Sequence, residues 1–200
     1  MAVLFHGNFA LDCPRMAGLI KLALKNPKLK DKDLAKPFGY GAPFAATYRS
    51  WLHKTGLAEM GLPLVLTEMG KVVYENDPTL ESITSKWFLH HELVTDTERA
   101  EAWHYFSVEF LPQHSTFTKD ELLEGLAVKL SPHSMKHFGP GSKLNQQIAR
   151  KIIQVYSEPT GLSDLGIISI EDKNIVRLKP KKLGPWKTPK ALQKSYESSQ

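Results

Sequence analysis

A single cysteine, Cys13, occurs in the 200 residues. That excludes an internal disulfide and any Cys-x-x-Cys pair for zinc or redox work. No window approaches the roughly 18 apolar residues that a bilayer-spanning helix needs. The start, MAVLFHGNFALDCPRM, lacks the basic opening and long apolar stretch of a signal peptide. These absences lead us to expect a soluble cytoplasmic protein. A Gly-x-Ser-x-Gly nucleophile elbow is missing too. The stretch FGPGSK, Phe138 to Lys143, lacks the first glycine of a phosphate loop and follows no strand, so it reads as an ordinary loop.

Acid–base pairs are equally scarce. Glu98, Glu101 and Glu109 fall on helices rich in solvent-facing charge, and Asp120 and Glu121 suit the first turn of a helix by their interaction with its dipole. Among the eight histidines, His90, His91 and His104 could in principle gather a metal, as could His133 and His137. Adjacent histidines point to different faces, however, and Pro132 and Gly139 argue against a helix between them. We therefore expect no metal, no cofactor and no enzyme.

What remains is an ordinary globular composition, 42% hydrophobic and 24% charged, with a net charge of +5. Such a balance permits a polyanionic partner without requiring one. Apolar residues at helical spacing predict a helix from Pro14 to Asn26, a short one ending near Lys36, and an amphipathic one over Ala42–Gly56. Leu64–Leu66 reads as a short β run. Thr67 is predicted to cap a helix through Val72 and Val73, a hairpin turning near Gly70 being the alternative. Two further helical stripes follow, and then a capping box, TKDE, at Thr118–Glu121. The loop SPHSMKHFGPGS precedes a helix in which Lys143, Gln147, Arg150, Lys151 and Gln154 face away from the apolar side. LGIISIEDKNIVRLK then reads as a hairpin turning at Glu171–Asn174.

The second half repeats the element order of the first. The predicted fold is mainly α with small β-hairpins (α+β), built as tandem winged-helix or helix-turn-helix units. Residues 1–77 and 96–179 form the units, 78–95 a connecting helix, and 180–200 a basic, partly extended tail. Winged-helix proteins present polar and basic side chains of one helix to DNA bases and phosphates. Thr47, Arg49, Ser50, His53 and Lys54 form that set in the first unit. Lys143, Gln147, Arg150 and Lys151 form it in the second, with Lys173 and Arg177 placed for phosphates. Each residue taken singly is better explained as the wet face of an amphipathic helix, and it is the ensemble that points to DNA. The expected partner is double-stranded DNA. The alternative is a protein–protein adaptor that uses the same folds as docking surfaces, motivated by the acidic stretch Glu92–Glu109.

The segments FHGNFALDCPRMAGLIKLAL, FGYGAPFAATYRSWLHKTGLAE, PLVLTEMGKVVY and SKWFLHHELVTDTERAEAWHYFSVEF together carry a resemblance. They resemble the prokaryotic domain-of-unknown-function family numbered four thousand and seven. The motifs correspond to Phe5–Phe9, Gly39–Trp51, Thr67–Gly70 and Trp87–His90, and a weaker match reaches Leu165–Ile167 and the GPWKTP tail. The resemblance implies genes beside sulfurtransferase-like proteins in DNA phosphorothioation and anti-phage defence loci. It therefore implies a DNA-linked accessory role, with a sulfurtransferase-like or other defence protein as a second partner, and no catalytic residues to carry over. Against that family the start of the chain reads as short, which bears on whether the first unit is whole.

Overall fold

The computed structural model describes residues 3–199. Asp12 accepts from the Arg15 amide and Pro14 occupies the first turn, so helix α1 begins at Cys13 and runs to Lys25. Helix α2, Asp31–Ala35, tightens through Lys36–Phe38 and stops at Gly39, whose φ of 76° is left-handed. Helix α3 spans Ala42–Lys54. A tight antiparallel turn follows: Glu59 donates to the Val65 carbonyl at 2.8 Å and Thr67 to that of Leu57 at 3.0 Å.

Helix α4, Glu68–Asn76, starts where Thr67 accepts from the Gly70 amide at 2.9 Å. That favours strand-then-helix over a hairpin turning near Gly70. The glycine has a second use, because a Cβ there would stand 2.0 Å from the Leu57 carbonyl oxygen. Thr-x-x-Gly is thus a cap combined with a close backbone approach. Helix α5, Ile83–Val94, follows a turn in which the buried Asp77 accepts from the amides of Glu81 and Ser82 and from the Thr79 hydroxyl.

Helix α6, Thr97–His104, widens into a further helical stretch to Phe110. Strand β1 is Thr116–Thr118, and its last residue closes the expected capping box with Glu121 to open α7, Lys119–Leu130. Helices α8, Met135–Phe138, and α9, Lys143–Ser157, precede strands β2, Ile168–Glu171, and β3, Asn174–Arg177. The sheet is antiparallel in the order β1-β3-β2, with Ile175 opposite both Phe117 and Ile170. Trp103, Phe106, Phe117, Leu126, Ile148, Ile152 and Tyr156 are buried with it. Helix α10, Pro189–Glu197, is capped by Thr188.

Two compact units result. One is Val94–Lys181 with residue 4 and the described residue 3; the other is Phe5–Leu93 with the described part of Lys182–Gln200. The protein is mainly helical with one small antiparallel sheet, hence α+β.

Four differences from the sequence reading have physical causes. Strand β1 escaped notice because three residues, Thr-Phe-Thr, are too few for an alternating pattern to register. Pro132 and Gly139 do bar a long helix, yet the turn Met135–Phe138 fits between them. In the first half, pairing near Leu64–Leu66 amounts to a bridge between Ala58 and Leu66. The tail, expected to be basic and partly extended, ends in α10, which belongs with the first half. Leu192 and Tyr196 are buried, Asn76 donates to Gln193 at 2.7 Å, and the Tyr196 hydroxyl lies 2.6 Å from that of Ser85.

Candidate nucleic-acid interface

Helix α3 buries Phe44, Ala45, Tyr48, Trp51 and Leu52, as its apolar spacing dictates. Its polar side is partly covered as well. Residues 5–9 run along it: the Phe5 ring meets Trp51 edge-on at 4.8 Å, and the Lys54 ammonium sits 5.7 Å above the Phe5 ring. Trp51 donates its indole N–H to the Phe9 carbonyl at 3.0 Å. Gly7 lies so close to Thr47 that an added Cβ would come within 3.2 Å of its hydroxyl.

The flanks are occupied too. Arg49 grips Asp31 with two hydrogen bonds, of 2.6 and 2.8 Å, and donates a third to the Gly61 carbonyl at 3.1 Å. His53 donates to the Ala58 carbonyl at 3.2 Å, and Ser50 is half-buried. Tyr48 donates to the Ala10 carbonyl and accepts from Arg15. Burial pushes the Tyr48 hydroxyl up to about 12, against the opposing pull of Arg15. The five candidates of α3 are therefore all half-buried, and Arg49 acts as an internal clamp.

Helix α9 is exposed differently. Ser142 caps it by accepting from the amides of Leu144 and Asn145. Lys143 and Arg150 are exposed and Gln147 is half-buried; at spacings of four and three they form one stripe on the side away from Ile148, Ile152 and Val155. Lys151 was expected on that outer side and is corrected by its burial, with 6% exposed. Its position between Ile148 and Val155 puts its stem at the edge of the apolar face, and its ammonium reaches Gln154 at 3.1 Å. Burial, then the neighbouring Arg150 charge, lowers its pKa.

Lys173 is exposed in the β2–β3 turn, beside the acidic Glu171 and Asp172. Arg177 points inward, donating to the carbonyls of Leu111 and Pro112 at 2.7 and 2.8 Å, and so ties β3 to the chain before β1. The structure thus brings Lys143, Gln147 and Arg150 together on one helix face.

The histidines are dispersed. His133 pairs with Glu101 at 2.7 Å, His137 contacts the Ser134 hydroxyl, and His104 donates to the Val94 carbonyl. Among the described residues no group of three His, Cys, Asp or Glu stands close enough to hold a metal. No helix of the described chain is long and apolar enough to cross a membrane. Sequence reasoning also passed over a cavity of about 670 Å³ in the second unit, bordered by Leu123, Ala127, Val128 and Met135. Val128 is 79% exposed, an apolar residue on a wet helix face, and that was the available signal.

By its fold this is a two-unit, mainly helical α+β protein. The chain belongs to the DUF4007 family, described as a protein of unknown function, whose model matches residues 16–175. No curated protein matches it. Two solved structures share the fold: magnesium ion-bound SspB, at 18% identity and a TM-score of 0.63, and SspB, at 17% and 0.65. Each match covers 90% of this chain, which spans 61% of the length of either SspB chain.

Proposed function

We propose that this protein is a non-catalytic binder of double-stranded DNA, a regulator or accessory subunit of a prokaryotic DNA-modification or anti-phage defence system. The observation that carries the reading is the stripe on α9 in which Lys143 and Arg150 are exposed on either side of the half-buried Gln147. The order α6, β1, α7, α8, α9, β2, β3, with β3 in the middle of the sheet, supports reading the second unit as a winged helix with α9 as its recognition helix. Helices α2 and α3, joined by a glycine turn and followed by the 57–67 turn, support a helix-turn-helix reading of the first unit. Lysine and arginine would neutralise phosphates, and the glutamine between them suits a base edge.

The test is fluorescence anisotropy with a mixed-sequence duplex at several salt concentrations. Affinity should fall steeply with salt, and K143A/R150A should weaken binding by about tenfold or more at low salt, with a salt slope shallower by roughly two contacts. Binding indifferent to salt, or absent at low salt, would refute the reading.

The adaptor reading has its own supporting observation, the apolar cavity beside Val128 and Met135. It would accept an apolar helix face of a sulfurtransferase-like or other defence-complex protein. Val128→Asp should abolish co-purification with that partner and leave DNA affinity unchanged.

A further inference from the structure

From the end of α1 into the first turn of α2 the chain reads NPKLKDKD. In the structure it walls a cleft of about 700 Å³. Lys28, Lys30 and Lys32 stand on one side, and Leu62 and Pro63 of the 57–67 turn stand opposite. All three lysines are exposed, as are Lys25 and Lys36 at the ends of the segment. Its acids do not balance them, for Asp31 is held by Arg49 and only Asp33 remains. The same arginine holds the Gly61 carbonyl, so one side chain fixes both walls. Beyond the cleft the turn exposes Met60 at 76%, Leu62 at 43% and Val65 at 48%, an apolar tip beside a cationic wall.

We infer that this cleft is a second DNA-contacting surface, in which the lysines engage backbone phosphates and the Met60–Pro63 tip enters the minor groove. The charge selects a polyanion. The apolar tip selects a nucleic-acid duplex among polyanions, because Met, Leu and Pro side chains seat against or between base steps from the minor groove, whereas a purely ionic chain offers them nothing. Arg49 is a positioning residue of this surface, since it touches Asp31 and Gly61. The inference rests on the reading of duplex DNA as the partner, but on a different unit and different residues from α9.

The experiment measures anisotropy for the full chain over about 50–200 mM salt, the range in which phosphate contacts register strongly. It compares wild type, K28A/K30A/K32A, M60S/L62S and K143A/R150A, with a melting curve for each to confirm folding. The lysine variant should lose about tenfold or more in affinity and show a slope shallower by roughly two to three contacts, at ~0.9 each. M60S/L62S should weaken duplex binding several-fold without altering the slope, and leave binding to heparin unchanged. A wild-type slope in the lysine variant overturns the inference, and loss in K143A/R150A alone would then leave the proposed function standing. Loss in the lysine variant with K143A/R150A unaffected supports the cleft and removes α9 from the interface. Wild-type affinity in M60S/L62S overturns the assignment to a duplex groove, and a wild type that binds no duplex overturns both readings.

Discussion

Helices α3 and α9 are the same kind of object by pattern and different objects in the fold. Both are amphipathic, of 13 and 15 residues, and both follow a shorter helix. Around α3, residues 5–9, Asp31 of α2 and the turn at Ala58–Gly61 take up the polar side chains one after another. Along α9 Lys143 and Arg150 stay exposed. The lesson is that periodicity locates the inward face of a helix, while whether the outward face is wet depends on segments with no periodicity of their own. Phe5–Phe9 is such a segment.

That contrast is sharpest at Trp51, where α3 is fully enclosed. Trp51→Ala should cost about 3–5 kcal/mol in urea unfolding, because it removes a buried ring and leaves the Phe9 carbonyl without its donor. A loss under about 1 kcal/mol would mean that the N-terminal segment does not enclose α3. Arg49→Ala comes next. Its ion pair is about one-fifth exposed at each side chain, so the expected destabilisation is roughly 1–3 kcal/mol, and Asp31→Asn should recover part of it.

A pH effect on the acid side follows from the first unit. His90 is held neutral, pushed down to about 3 by burial and then by the nearby charges of His91 and Lys182. The folded pKa lies below the ordinary value of 6.5, so the unfolded chain binds the extra proton. Stability is therefore complete above that value and declines as pH falls from it toward 3, by at most about 1.4 kcal/mol per pH unit. His90→Gln should flatten the decline, and an unchanged slope would assign it elsewhere. Asp77 acts in a lower window. Burial raises its pKa, but the hydrogen bonds it accepts prevail and hold it below 3.8, so that stability is lost only as pH falls below the carboxylate range. The smallest stability effect should come from α9, where K143A/R150A should unfold within about 0.5 kcal/mol of wild type. A larger shift would show that the stripe is structural after all and remove its claim to be an interface.

Much of this architecture was legible. Pro14 and the Thr118–Glu121 box marked helix boundaries because their chemistry is local, and the EDKN turn marked the hairpin for the same reason. The burial of Lys151 was not legible, because a lysine at the border of an apolar stripe can lie on either side of it. Arg49 and Arg177 were read as outward cations, since nothing in sequence shows a carboxylate 18 positions away or carbonyls 65 and 66 positions away. The cationic cleft was hidden for the opposite reason. Its lysines carry no pattern of their own, and only the 57–67 turn folding opposite gives them a second wall.

The return of α10 to α4 makes the first unit discontinuous in sequence. Residues 94–181 are contiguous, so they can complete their own core as soon as they leave the ribosome. The other unit cannot, because Leu192 and Tyr196 are translated more than a hundred residues after α4. The seam along α4 is therefore closed by a helix encoded only after the whole of residues 94–181.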